Sequence, residues 1–110
     1  AGAEAQQGLD RMMRELRIAI PSTLTMSSTS VSFTDVNNSS ISFSLSGGNL
    51  LRGSNVLVSG VTSLTLSYYD SSGAVTATAA NVRYIVINMT VNDGGVGTNL
   101  RTLVFLRNAE

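Results

Sequence analysis

The 110-residue chain carries seven Arg, seven acidic residues, and no His, Lys or Cys, so its formal net charge is zero. Without Cys there is no disulfide framework and no thiolate chemistry; without His or Lys there is neither a Ser–His nor a Ser–Lys nucleophile–base pair. Neutrality gives no bulk field for nucleic acid, and 110 residues with 43% apolar content make one domain, 1–110, with a core that needs no metal or disulfide.

The opening stretch predicts an amphipathic α-helix over residues 3–19. Leu9, Met12, Met13, Leu16 and Ile20 recur at helical spacing and fall on a stripe of roughly 100°. This stripe is expected to pack on a sheet. Pro21 ends the pattern, because it lacks an N–H and restricts the residue before it. Gly8 inside the helix costs about 1 kcal/mol relative to Ala. Asp10 with Arg14 and Arg11 with Glu15 add a few tenths of a kcal/mol at most. The other face carries Gln7, Arg11, Arg14 and Ile18. Both a solvated face and a contact with neighbouring helices fit those residues. No capping box precedes the first periodic residue, so the helix is expected to continue upstream of Ala1.

Residues 21–30 are Ser/Thr-rich and read as a crossing segment. Val31 and Phe33 alternate with polar residues, as do Ile41, Phe43 and Leu45. The turn cluster DVNNSS between them predicts a hairpin. SGGN at 46–49 predicts the next turn, followed by the short run NLLR at 49–52. Residues 53–60 read as a looser segment. VTSLTLSYYD, 61–70, predicts a strand with Leu64, Leu66 and Tyr68 on one face and Thr65, Ser67 and Tyr69 on the other. DSSG turns the chain, and AVTATAA reads as loop or weak strand. NVRYIVINMTVN, 81–92, is the strongest strand, with Ile85, Ile87, Met89 and Val91 on one face. DGGVG predicts a hairpin loop and LRTLVFLR, 100–107, an antiparallel return. The expected fold is therefore α+β, with an N-terminal helix packed on one antiparallel sheet of about four to six strands.

Little in this pattern carries chemistry. The acids are scattered, so a catalytic carboxylate pair is not indicated. The SGG and GGVG loops lack the helix and the Lys of a phosphate cradle and read as turns. Asp93 with Asn92 and Asn99 offers oxygens to a calcium ion, but one carboxylate is thin and a turn is the favoured reading. Asn37, Asn38 and Asn88 head glycosylation sequons, a pattern common by chance. No catalytic residue, cofactor or metal is expected.

LDRMMRELRIA at 9–19, GVTSLTLSYYDSSG at 60–73, NVRYIVINMTV at 81–91 and the closing TLVFLRN at 102–108 together resemble the soluble domain of type IV pilin-like proteins. The likeness is nearest to minor pilins and to the J-like or W-like pseudopilins of type II secretion. It spans nearly the whole chain, and its strongest parts are Gly60 to Asp70 and Leu106–Arg107–Asn108. The resemblance implies a pilin-like fold. It also implies a precursor with a leader and an apolar membrane helix upstream, processed and methylated at its new N-terminus. The helices then pack in a filament core. The leader and that apolar helix are missing from this sequence. The expected function is a structural minor subunit of a pilus or secretion pseudopilus, at assembly initiation or at the tip, in the bacterial cell envelope. The expected partners are other pilin or pseudopilin subunits and, through the upstream helix, the inner membrane before assembly; no nucleic acid and no small-molecule substrate are expected. Arg11, Arg14 and Ile18 are the candidate partner contacts. A second reading, from a different class, is a β-rich extracellular binding or adhesion module using loops 34–40 and 92–99.

Overall fold

A computed structural model describes residues 2–107, apart from the side chains of residues 2, 3 and 93. Ala1 and the Asn108 of the closing motif lie outside the described residues. Helix α1 (Gly2–Arg17) is followed by a 3₁₀ turn at Pro21–Thr23 and eight strands: β1 (Thr25–Met26), β2 (Ser30–Thr34), β3 (Ser40–Ser46), β4 (Asn49–Arg52), β5 (Asn55–Ser59), β6 (Val61–Tyr69), β7 (Tyr84–Asp93) and β8 (Val96–Phe105). Strands β1 to β5 form one antiparallel sheet in sequence order, and β6 to β8 form a second.

This overturns the expected α+β arrangement. With 52% strand and 19% helix the chain is β-rich. The helix meets strands of both sheets instead of lying on one sheet of four to six strands in the pilin-like manner. The change of sheet happens at Gly60. This residue has φ +70°, and a Cβ there would stand 3.0 Å from the Asn92 carbonyl. Val61 N–H donates to the Gly48 carbonyl and Asn92 N–H to the Gly60 carbonyl. The chain thus leaves β5 through a left-handed residue and enters β6 without pairing to it. A one-residue glycine corner reads in sequence as a turn or a bulge, which is why two sheets look like one.

Within each sheet the expected alternation holds. Val31 lies opposite Phe43 and Phe33 opposite Ile41, all four buried. The Phe33 and Phe43 rings stack at 6.3 Å. Leu64, Leu66 and Tyr68 of β6 and Ile85, Ile87, Met89 and Val91 of β7 face inward and are buried. Residues 53–60, read as looser, contain β5, whose Val58 is fully buried.

Two seams join the sheets. At one, residues 27–30 sit between them. Leu66 N–H donates to Ser28 O at 2.7 Å and Leu45 N–H to Thr29 O at 3.1 Å. The Tyr68 hydroxyl donates to Ser27 O at 2.8 Å and also lies 3.2 Å from Ser30 O. At the other seam stands α1. Its Glu4 carboxylate accepts from Ser59 N–H and Oγ at the end of β5, which holds that carboxyl below the usual range. Arg52 Nε of β4 donates to Glu15 at 2.7 Å. On the opposite flank Thr102 Oγ1 of β8 lies 3.2 Å from Met13 Sδ, and Arg107 N–H donates to Arg17 O. The helix stripe fills the space between: Ala5, Leu9, Met12 and Leu16 are at most 2% exposed, and Met13 is partly buried. The helix ends two residues earlier than expected, at Arg17. Ile20 lies beyond it, half-buried, with its N–H on Thr34 O, so it belongs to the incoming chain and not to the helical stripe.

Burial pushes the Tyr68 phenol up to about 12. An unfolded tyrosine titrates near 10, so both states are neutral below that pH and the contribution is intact there. Between pH 10 and 12 the unfolded chain ionises first, and stability falls as pH rises through the folded value. The chain has no Lys and no Cys to titrate in that window. Melting temperature is expected to drop steadily from pH 10 to 12, and Tyr68→Phe is expected to flatten that drop while lowering the neutral-pH melt slightly. A Tyr68→Phe curve parallel to wild type from pH 10 to 12 would contradict this.

Candidate functional site

The outer face of α1 is the first candidate surface. Its inner stripe is consumed by the core, so what remains outward is set by helical geometry. Gln7, Arg11 and Arg14 are exposed. Arg11 Nε lies 3.7 Å from Glu15, itself anchored by Arg52. The expected Asp10–Arg14 pair is replaced by a hydrogen bond from Gln6 Nε2 to Asp10 Oδ1 at 2.9 Å. Arg14 thus presents its charge outward between two shallow depressions. One, of about 300 Å³, lies between helix and β5 and is walled by Glu4, Gln7, Gly8, Arg11, Arg14, Val56 and Leu57. The other is bounded by Gln7, Asp10, Met13 and Arg14. Arg11 and Arg14 therefore share a surface with the exposed Val56 of β5. Ile18 does not join them on the helix. It follows the last helical residue, is half-buried, and its carbonyl accepts from Val36 N–H at 3.1 Å.

The outer face of the second sheet is the other candidate, and sequence reading missed it. Tyr69 lies opposite Tyr84 and Tyr84 opposite Phe105. The Tyr69 and Tyr84 rings stack at 5.0 Å and 11°, and Tyr84 meets Phe105 at 5.4 Å and 49°. The first pair is stacked and the second tilted, and the ladder ends at Phe105, which is 64% exposed. The neighbouring row is Ser67, Val86 and Leu103, and the next is Thr65, Asn88 and Arg101. Beyond it Asn99 Nδ2 donates to Asn88 Oδ1 at 2.6 Å and to Thr90 Oγ1 at 3.0 Å. The signal for the ladder was present. The two-residue turn at Gly94–Gly95 sets Asp93 opposite Val96, and counting outward places Tyr84 opposite Phe105.

Among the described residues no three His, Cys, Asp or Glu side chains converge on a possible metal position. At the 92–99 hairpin Asn92 Oδ1 accepts from Gly95 N–H at 2.9 Å, so its oxygen is committed to the turn; the Asp93 side chain lies outside the described set. Loop 34–40 is closed on Asp35, whose Oδ1 accepts from Asn37 N–H and Ser39 N–H. Among the described residues no helix is long and apolar enough to cross a membrane. No protein-family model matches the chain, and no curated protein matches it in sequence.

Proposed function

We propose that the chain is a non-enzymatic structural subunit, a minor component of a type IV pilus or type II secretion pseudopilus in the bacterial cell envelope, which works by packing against neighbouring subunits. One observation carries this reading. Helix α1 is buried along one face between the two sheets, while Arg11 and Arg14 on its other face point outward beside β5. An exposed face that sets two arginines among carboxylates, on a helix docked along its other side, suits contact with another protein chain. The fold is not a helix on one sheet, so the support comes from this two-faced helix and from the sequence resemblance. In cells making the full-length subunit, Arg11→Glu with Arg14→Glu is expected to abolish filament assembly. The same pair is expected to shift the domain's stability by no more than about 1 kcal/mol, as surface changes do. Normal filaments from the double variant would refute the assignment.

The β-rich fold is equally compatible with a second reading, a β-rich extracellular binding or adhesion module. The coding sequence upstream of Ala1 separates the two. A leader followed by about 25 apolar residues, enough to span a bilayer, supports the filament subunit. A preceding β-repeat or a cleavable secretory signal supports the module.

A further inference from the structure

We propose that the open edge of β8 pairs with the same edge of a second copy of this chain, joining two three-stranded sheets into one of six strands across a two-fold axis at Leu103. This is independent of the filament reading. Strand β8 is the terminal strand of its sheet and runs ten residues, paired to β7 without a register shift. Hydrogen-bonding parity follows from the hairpin. A two-residue turn makes Asp93 and Val96 a hydrogen-bonded pair, so even-numbered residues from Val96 to Val104 bond to β7. Consistently, Leu106 N–H donates to Arg83 O, while the outward amide of Arg107 is taken by Arg17 O at the end of α1. Gly97, Asn99, Arg101, Leu103 and Phe105 thus direct their backbone groups to the edge. All five are exposed, and among the described residues no other strand pairs with them. Edge strands are ordinarily blunted by shortness, Pro, charged side chains or bulges; β8 is long, has no Pro and no bulge, and carries a single charge, Arg101.

A bare edge accepts a strand, and side-chain complementarity selects a second copy in one register. Pairing must keep the outer residues Arg101, Leu103 and Phe105 on one face. An axis at Arg101 sets like charges opposite each other, which is destabilising. An axis at Thr102 sets Arg101 against the partner's Leu103. An axis at Leu103 sets leucine on leucine and places Arg101 over the partner's Phe105, twice by symmetry. The 64% exposed ring that ends the aromatic ladder then receives a guanidinium, a favourable cation–π contact. Zero net charge leaves no long-range repulsion between copies.

The chain has no Cys, so single cysteines report the register. Facing residues of a hydrogen-bonded antiparallel pair have Cα atoms about 5.5 Å apart, within disulfide reach. Sedimentation of the wild-type chain from about 10 μM to 1 mM, a range spanning weak interfaces, is expected to show a monomer–dimer equilibrium. Leu103→Cys is expected to form a disulfide-linked dimer under mild oxidation, and Ser63→Cys, on the far strand of the same face, is not. Leu103→Lys, which sets two cations opposite each other, is expected to weaken dimerisation at least about 10-fold with an unchanged circular dichroism spectrum. A chain that stays monomeric at 1 mM overturns the proposal. So does a dimer that Leu103→Lys leaves intact, or one that cross-links at Ser63 as readily as at Leu103.

Discussion

Leu16→Asp is expected to leave the chain unfolded or aggregated at neutral pH. Leu16 is fully buried in the helix stripe that fills the seam between the two sheets. Removing its side chain alone forfeits about 2–5 kcal/mol, the usual range for a buried Leu→Ala. An aspartate in its place adds the desolvation of a carboxylate, several kcal/mol when unpaired. No cation is positioned to meet it from the same stretch of helix, because Arg14 points outward and Arg17 lies at the helix end. The sum reaches the whole stability of an ordinary domain, about 5–15 kcal/mol. Leu16→Ala is the companion measurement: a folded protein with a urea midpoint lowered by the equivalent of about 2–5 kcal/mol. A thermal melt of Leu16→Asp matching wild type would show that α1 is not docked as described.

That expectation needed only the sequence, because the i, i+3, i+4, i+7 spacing of Leu9, Met12, Met13 and Leu16 places them together whatever they pack on. The hairpin from Val31 to Leu45 and the inward row Ile85, Ile87, Met89 and Val91 were legible for the same reason: period-two alternation is local. What the helix packs on was not local. One sheet became two at Gly60, where a single positive φ redirects the chain, and nothing in the alternation of β5 and β6 marks that corner as different from a hairpin. Strand β5 was hidden because its row is uneven: Val58 is buried, Leu57 half-buried and Val56 55% exposed. Its partner across the seam is a helix, which leaves no alternating signature.

The candidate surfaces divide in the same way. Arg11 and Arg14 were readable from the helical wheel, but Ile18 was assigned to their face on the assumption that the helix reached residue 19. The helix stops at Arg17, because the chain must cross to meet Asp35, with Ala19 bridged to it and Ile20 bonded to Thr34. The Tyr69–Tyr84–Phe105 ladder needed two registers. That of β7 with β8 follows from the Gly94–Gly95 turn. That of β6 with β7 spans the long connection of residues 70–83 and is fixed by packing, including the 3₁₀ turn at Ala79–Asn81 against Pro21–Thr23.

Gly8→Ala is expected to destabilise the domain even though it improves the helix. In an isolated helix the change would gain about 1 kcal/mol. In the folded protein a Cβ at residue 8 would run into Val58 Cγ2 and would touch Leu57 at 3.6 Å. Val58 is fully buried, and its β-branched side chain has little rotamer freedom to move away. Nor can the helix retreat freely, since Glu4 is tied to Ser59 and Glu15 to Arg52 along the same flank. Overpacking of this kind costs about 1–3 kcal/mol, so the net change for Ala is a loss of about 1 kcal/mol. For Gly8→Leu, whose larger side chain starts from the same clash with Val58, the loss is about 3 kcal/mol or more. Val58→Ala on its own should also destabilise, through the cavity it leaves. Combined with Gly8→Ala it should cost less than the two single changes added, because the methyl that clashes is the methyl removed. Urea unfolding of the four proteins in that cycle measures the coupling. A coupling energy of zero, or a Gly8→Ala variant more stable than wild type, would place the helix further from β5 than the 3.6 Å approach to Leu57 allows.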